Sequence, residues 1–329
     1  MRASFRSTLT HALIALFGVF VAALIGELLV RLYARTHTLY DVEMTHYALA
    51  LKADSPDPLI GHVHTPNRSA TLMNVPVRIN SDGLRDVEHA VAHDDRYRII
   101  FLGDSFTFGW GVSEPETFKS RLEAALNQRY PTEIINFGTG NYNSEQEVHL
   151  FLQKGLKYRP DKVVVFYFIN DAEPPRAKAP FPFLYHSDFI TFFWSRLHAV
   201  TFDLGDGSRG YKGYYTNLYE PGAPGWARAQ AALLQLKQVC AENGIELQVV
   251  LIPELHTLQD YPFAAEHKLV TDFLRSNDIA VLDLAPLFED QTEPRRLWVA
   301  DDDAHANALG HRLIAERSLD FIAQRKARP

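Results

Sequence analysis

Ser105 is a candidate nucleophile because of its immediate neighbours in the chain. It ends the triplet Gly103-Asp104-Ser105, which directly follows an apolar, β-branched run typical of a buried strand. Glycine permits a tight turn there, so the hydroxyl can project beyond the strand end with free backbone N–H groups nearby. A serine hydroxyl is a weak nucleophile and needs a base that a third group holds in place. The triplet alone is also consistent with a simple turn.

A base and an orienting carboxylate are present near the C-terminus. Asp302 and His305 lie three residues apart, just before the last predicted helix. This spacing lets the Asp302 carboxylate turn back onto the His305 ring, fix its tautomer and stabilise the imidazolium. An acidic loop is the alternative interpretation. We expect His311 to be structural, and we leave His256 aside because no adjacent carboxylate supports it as the base.

Two further segments contain groups that could donate hydrogen bonds to a developing oxyanion. Asn170 ends the third predicted strand, and its amide would face the cleft there. The run 136–144 follows the second predicted strand and contains Gly138 and Gly140, whose freedom allows backbone N–H groups to face the same cleft. In isolation, each segment is also an ordinary turn.

The elements that position these groups follow a regular alternation. Five apolar runs of strand length are nearly continuous, as expected for strands buried on both faces: 98–102, 133–137, 163–169, 247–252 and 279–282. Helical patterns separate them: 116–129, 145–158, 226–243, 264–276 and 307–323. Capping boxes at Ser113–Glu116 and Ser144–Glu147 precede the first two.

This order predicts an α/β fold with a five-stranded parallel sheet between two layers of helices. In such a sheet the ligand site lies beyond the C-terminal strand ends. The four candidate segments all follow strands one, two, three or five, so we expect them to meet at one edge. Thr107 departs from the G-x-S-x-G elbow, which argues against an α/β-hydrolase.

Together these segments resemble the sequence blocks of the SGNH/GDSL hydrolase superfamily, namely Gly-Asp-Ser, a glycine after the second strand, Gly-x-Asn-Asp and Asp-x-x-His. The resemblance covers roughly residues 96–323 and implies a three-layer flavodoxin-like fold. It implies Ser105 as nucleophile, His305 as base and Asp302 as its orienter.

The resemblance also implies an oxyanion hole. Its donors would be the Ser105 N–H, the Asn170 amide and one N–H of the second block, where the spacing allows either Gly140 or Asn141. Phe168 departs from the family pattern, since it stands where the third block usually has glycine. The upstream run Asn80–Arg85 resembles, more weakly, a lead-in segment of membrane-anchored bacterial members.

The first forty residues predict a membrane anchor. A short basic segment, 1–8, precedes an apolar span, 9–33, which is long enough to cross a hydrocarbon core. Glu27 near its end can snorkel or pair with Arg31 four residues on. A cleaved signal peptide and a buried core helix are the alternatives. We expect an uncleaved signal anchor, with the N-terminus inside and the enzyme in the periplasm or otherwise outside the cytoplasm.

The rest of the chain divides into a connector and lead-in segment, 34–95, and a hydrolase domain, 96–325. Within the domain, 171–223 is rich in Pro, Gly and aromatic residues and follows a strand end. We interpret it as an insertion that covers the site as a lid, or alternatively as a packed surface excursion.

Composition excludes several classes of function. The 329 residues carry a net charge of −7 without long single-sign runs, so we expect no nucleic-acid partner. One cysteine excludes an intrachain disulfide framework, and no His/Asp set has metal-ligand spacing. We therefore expect neither a metal nor another cofactor.

The function expected from the sequence is a serine esterase. It would act through an acyl-enzyme on a carboxylic ester, such as an O-acetyl group of an envelope polysaccharide or lipid. An O-acyltransferase to a sugar hydroxyl would use the same residues. A non-catalytic envelope binding or scaffold protein is the alternative from a different class.

Overall fold

The computed structural model describes residues 2–92, 94–175, 182–203 and 210–325. Its strands are β1 (Lys52–Asp54), β2 (His62–His64), β3 (Ser69–Leu72), β4 (Val75–Arg78), β5 (Tyr97–Gly103), β6 (Thr132–Asn136), β7 (Lys162–Tyr167), β8 (Glu246–Leu251), β9 (Ala280–Asp283), β10 (Trp298–Ala300) and β11 (Asp303–Ala306). Its α-helices are α1 (Arg2–Ala34), α2 (Tyr40–Leu51), α3 (Ser105–Phe108), α4 (Phe118–Leu126), α5 (Ser144–Leu150), α6 (Asp188–Asp203), α7 (Tyr211–Leu218), α8 (Pro224–Glu242), α9 (Ala264–Ser276) and α10 (Ala308–Ile322).

A parallel sheet of five strands forms the centre of the fold, in the order β6-β5-β7-β8-β9. These are the five strands that the apolar runs predict, so the predicted α/β fold is confirmed. The connection from β5 to β6 runs towards one edge of the sheet, and the connection from β6 to β7 runs in the opposite direction. Because such connections are right-handed, this reversal puts α4 on one face and α5 and α8 on the other. The helix contacts agree, since α4 packs with α10 and α5 packs with α8. The strand order is the flavodoxin-like one, and its switch point lies beyond the ends of β5 and β7.

Helix α5 begins one residue earlier than the sequence pattern predicts. Asn143 is the capping residue: the Gln146 N–H donates to its side chain at 3.0 Å, and its own N–H donates to the Gln146 side chain at 3.2 Å. The predicted box at Ser144–Glu147 is therefore wrong by one position. The shift leaves Glu147 in the interior, where it is buried. The other predicted box is also displaced, because α4 is capped by Thr117, whose hydroxyl accepts from the Ser120 N–H at 3.2 Å.

The segment 34–95 packs closely against the sheet. It supplies α2 and the antiparallel pairs β1–β2 and β3–β4. Together with two aromatic residues that follow Ser105, it forms a second apolar cluster: Met44, Tyr47, Leu51, Leu72, Met73, Val77, Ile79, Phe108 and Trp110. This segment therefore supports the turn that carries the candidate nucleophile. The boundary between residues 95 and 96 stays a prediction.

The stretch Thr10–Ala34 within α1 is long and apolar enough to cross a membrane, and among the described residues no other helix is. Its length, composition and position near the N-terminus would also suit a signal sequence.

Of the predicted insertion 171–223, residues 176–181 and 204–209 lie outside the described residues. The rest contains α6 and α7, and its action as a lid stays a prediction.

Arg85 connects the N-terminal segment to the turn after Ser105. Its guanidinium is buried and donates to the backbone carbonyls of Phe108 (2.9 Å), Val112 (2.6 Å) and Gly109. A buried carbonyl that loses its partner costs free energy, and a bond to a charged donor is among the stronger ones. The lead-in segment is thus part of the support of the site.

We predict that Arg85→Met lowers the free energy of unfolding by about 3 kcal/mol, because three buried carbonyls lose a charged donor at once. Urea unfolding of the full chain in detergent measures this. Arg78→Met, on the exposed end of β4, is the matched control and should change stability by less than about 0.5 kcal/mol. Equal effects of the two substitutions would contradict the prediction.

Candidate active site

Ser105 lies at the first position of α3, directly beyond the end of β5. Gly103 is required just before it: a Cβ there would lie 2.1 Å from Thr107 Oγ1 and 3.1 Å from the Phe166 carbonyl oxygen. Asp104 caps the short helix, since its Oδ1 accepts from the Phe106 N–H at 2.9 Å. The turn therefore has one conformation available, and it fixes the serine at the C-terminal edge of the sheet.

The His305 ring lies against the serine hydroxyl. Ser105 Oγ is 2.7 Å from His305 Nε2, a distance at which the hydroxyl donates to the ring nitrogen. The two residues lie 200 positions apart in the chain, and the structure brings them together as the sequence predicts. This contact can activate the serine as a nucleophile.

The carboxylate on the far side of the ring belongs to Asp303, which corrects the expectation of Asp302. Asp303 Oδ1 lies 2.5 Å from His305 Nδ1 and also accepts from the His305 backbone N–H at 3.0 Å. The reason is local structure. Residues 303–306 form β11, where positions two apart share a face, whereas the three-residue spacing suits a turn or helix. Asp302 lies in the hairpin turn between β10 and β11.

Asp302 instead interacts with α2, in the N-terminal segment, and with α6, in the predicted insertion. Its Oδ2 accepts from the Tyr40 N–H at 3.5 Å and lies 3.6 Å from the guanidinium of Arg196 in α6. Among the described residues, the carboxylate hydrogen-bonded to the histidine ring is that of Asp303.

Trp110 completes the surroundings of Asp303. Its indole Nε1 donates to Asp303 Oδ2 at 2.7 Å, so both carboxylate oxygens are engaged. Sequence reasoning missed Asp303 and Trp110. The alternation Asp303-Ala-His305-Ala, read as a strand, could have indicated the aspartate. Trp110 has no local signal, since its partner is 193 residues away.

The charge distribution favours a protonated ring. Burial alone would lower the pKa of His305, but the Asp303 carboxylate outweighs it, aided by Asp104 and Glu254, so the pKa is raised above 6.5. Burial likewise opposes ionisation of Asp303, yet the His305 ring and N–H keep its pKa below the ordinary value. The pair is therefore arranged to stabilise an imidazolium next to a carboxylate.

Asn170 lies three residues beyond β7, in a short 3-10 helix (Ile169–Ala172), and its amide faces the nucleophile turn. Its Nδ2 donates to Asp104 Oδ2 at 2.9 Å. An amide nitrogen carries two hydrogens, so this bond orients the group and leaves a second donor. Burial raises the pKa of Asp104, although the Phe106 N–H and the Asn170 amide stabilise its charge.

The second block passes very close to the nucleophile turn. A Cβ on Gly138 would lie 2.2 Å from the Phe108 nitrogen, so only glycine fits there. The Gly140 N–H donates to the hydroxyl of Tyr47 at 3.1 Å. Asn141 adopts the left-handed conformation, with φ of 69°, which asparagine tolerates better than most residues. The Gly140 N–H thus already has an acceptor within the protein.

The other two histidines considered in the sequence have different surroundings. His311 is buried, and its Nδ1 accepts from the Phe118 N–H at 3.0 Å. Burial lowers its pKa to about 3, which suits a structural role. His256 has a carboxylate neighbour after all, because Glu254 is hydrogen-bonded to its Nδ1. Its ring contacts Trp298, and the ring that contacts Ser105 is that of His305.

A pair of buried carboxyl groups, Glu147 and Asp171, lies behind Asn170. Burial raises the pKa of both well above the ordinary values. The charge of Asp104 adds to this for Glu147, and the charges of Glu147 and Asp104 add to it for Asp171. Ser144 donates to Asp171 Oδ2 at 3.2 Å. Neither oxygen of Glu147 has a partner among the described residues. Burial therefore favours the neutral form of Glu147, because an unpaired buried charge is costly. Among all the residues that the structure describes, no group of three or more His, Cys, Asp or Glu side chains could hold a metal ion.

Comparison with known proteins gives a family for this architecture. Residues 101–313 match the model of the GDSL-like lipase/acylhydrolase family. A G-D-S-L family protein from Desulfitobacterium hafniense DCB-2 has a similar structure, with a TM-score of 0.45 and 14% identity over 68% of this chain and 99% of that one. A catalytic mutant of an acetylxylan esterase from Geobacillus stearothermophilus gives a TM-score of 0.46 and 15% identity over 73% and 100%. No curated protein matches the sequence.

We predict that Glu147→Gln reduces the loss of stability between pH 5 and pH 8. The sign follows from the raised pKa: above pH 4.5 the unfolded chain ionises Glu147 while the folded chain keeps it protonated, so stability falls as pH rises. The slope contributed is at most about 1.4 kcal/mol per pH unit. Urea unfolding at several pH values measures it. Glu145→Gln on the same helix is the control, and parallel curves for wild type and Glu147→Gln would disprove the assignment.

Proposed function

The chain belongs to the GDSL-like lipase/acylhydrolase family of ester-bond hydrolases, and from this premise we propose a membrane-anchored serine esterase that acts through an acyl-enzyme on Ser105. The observation that carries the proposal is the 2.7 Å contact between Ser105 Oγ and His305 Nε2, with the Asp303 carboxylate on the other ring nitrogen. This is the arrangement by which a serine hydroxyl is activated.

In the first half of the reaction, Ser105 Oγ attacks the ester carbonyl carbon and its proton passes to His305 Nε2. The imidazolium is stabilised by Asp303, which stays ionised. Collapse of the tetrahedral intermediate breaks the bond to the leaving alcohol, which takes the proton from His305. In the second half, water gives a proton to His305 and attacks the acyl-enzyme, and Ser105 recovers its proton as the acid leaves.

Three donors stabilise the oxyanion in this proposal. They are the Ser105 N–H, the second hydrogen of the Asn170 amide and the Asn141 N–H. We choose Asn141 over Gly140 because the Gly140 N–H already donates to Tyr47. Such donors in a preorganised site are each worth about 2.7–4 kcal/mol of transition-state stabilisation in other enzymes.

The substrate in this proposal is a carboxylic ester with a small acyl group, such as acetyl, on an envelope glycan or lipid. Ser105 is 4% exposed, and the rings of Tyr40, Phe106 and Trp110 surround His305. A short acyl group fits such an enclosed position. Helix α1 holds the enzyme to the membrane with the catalytic domain outside the cytoplasm.

We predict that wild type hydrolyses p-nitrophenyl acetate and is labelled by a fluorophosphonate probe. Ser105→Ala should lose the label completely and at least about 10³-fold of kcat, since it lacks the nucleophile. Ser113→Ala, a serine on the nearby surface, is the control and should keep both. Absence of labelling on folded wild type, or equal labelling of Ser105→Ala, would refute the serine mechanism.

We further predict that Asp303→Asn lowers kcat by about 10⁴-fold, whereas Asp302→Asn changes it by less than about tenfold. The base must be neutral, and its pKa is raised, so the acid limb of the wild-type pH profile of kcat/KM should have its midpoint above pH 6.5. Removing the Asp303 charge should move that midpoint lower. A greater loss in Asp302→Asn than in Asp303→Asn would contradict the assignment.

A further inference from the structure

We propose that helix α6 lies in the surface of the same bilayer as α1, so that two helices dock the active site against the membrane and the ester is taken from the membrane surface. The inference rests on the membrane anchor in the proposed function, and it adds the surface on which the enzyme works. It begins from the side chains that α6 leaves uncovered.

One face of α6 is an exposed apolar stripe formed by Ile190, Phe193, Trp194 and Leu197. The spacing i, i+3, i+4, i+7 places all four on one side of a helix. Their exposed fractions are 39%, 60%, 64% and 50%, although large aromatic residues are normally well buried. A contiguous stripe of this kind on the outside of a protein marks an interaction surface.

The opposite face of α6 is attached to the protein and carries polar residues beside the half-buried Phe192. Asp188 Oδ1 lies 2.8 Å from His46 Nε2 in α2, and Thr191 is buried. Arg196 lies 3.6 Å from Asp302, in the turn beside the candidate triad. The helix is therefore amphipathic, with its polar side on the catalytic domain and its apolar side away from it, as in helices that lie in a membrane surface.

The start of α6 is fixed to α1 itself. Glu27 Oε2 accepts from the Ser187 hydroxyl at 2.7 Å and from the Phe189 N–H at 3.0 Å, and its Oε1 accepts from the Asp188 N–H at 3.2 Å. The Phe189 ring lies on Gly26, where a Cβ would be 2.8 Å away. A carboxylate that caps three donors of another helix explains why an acidic residue stands in an otherwise apolar span.

This attachment sets the depth of α6. From Thr10 to Glu27 is 17 residues, or about 26 Å of helix, while the hydrocarbon core is about 30 Å thick. With Thr10 at the inner boundary, Glu27 lies about 4 Å inside the outer boundary of the hydrocarbon, and the bound end of α6 lies at the same level. Tryptophan is enriched at that level of a bilayer. The exposed apolar residues of α1 and the stripe of α6 then face the same lipid, and lipid rather than a second protein is the occupant.

Quenching of tryptophan emission by brominated lipid tests this. The full chain is reconstituted in vesicles of phosphatidylcholine, with and without bromine on the acyl chains near the carboxyl end, and flotation confirms membrane attachment. The other tryptophans, Trp110, Trp226 and Trp298, lie within the catalytic domain. We expect brominated lipid to quench wild type at least twofold more than Trp194→Phe. Leu269→Trp in the Trp194→Phe background is the matched control from an exposed site on α9, and it should not restore quenching.

The outcomes separate the two proposals. A chain that does not float overturns the anchor and, with it, the docking of α6. A chain that floats but shows the same emission in both lipids overturns the docking alone. Blue-shifted emission of Trp194 without bromine quenching would show a protein partner on the stripe, such as a second copy, and would also overturn the inference.

Discussion

The carboxylate of Asp303 connects parts of the chain that are far apart in sequence. One oxygen holds the His305 ring and backbone, and the other accepts from the indole of Trp110. Trp110 belongs to the apolar cluster that the N-terminal segment forms around the turn after Ser105. The hairpin that carries the base is thereby fixed to the strand end that carries the nucleophile. Because both oxygens are used, the carboxylate has one orientation, and the ring it holds has one as well.

The fold could be predicted from local sequence because its main determinant is local. A strand buried on both faces requires a continuous apolar run, and the runs for β5 to β9 are the five strands of the sheet. The sequence also predicted that Ser105 and His305 meet, from the resemblance to the family's sequence blocks and from the position of both after strands of the sheet, although His305 lies on the separate hairpin β10–β11. Features that depend on the conformation of a few residues were harder to predict from the sequence. A strand rather than a turn at 303–306 decides between two adjacent aspartates, and a cap at Asn143 rather than Ser144 decides where Glu147 goes.

Local sequence patterns could not predict contacts between residues that are far apart in the chain. Tyr47 engages the Gly140 N–H, and only that contact distinguishes the two candidate donors of the second block. Trp110 belongs to no local pattern, and the run Asn80–Arg85 does not indicate what Arg85 binds, since both residues act through partners on other elements. The burial of Glu147 and Asp171 likewise depends on how the surrounding elements pack, which the residues themselves do not indicate.

The short distance between α1 and α2 has a mechanical consequence. Five residues separate Ala34 from Tyr40, so even a fully extended link would span no more than about 20 Å. Tyr47 and Arg85, which follow, are built into the support of the active site, so the chain cannot unwind further to lengthen this link. With α1 in a bilayer, the catalytic serine cannot move far from the membrane surface. Its range of action is then set by lateral diffusion of the whole molecule, and an ester far from the membrane plane must come to the enzyme.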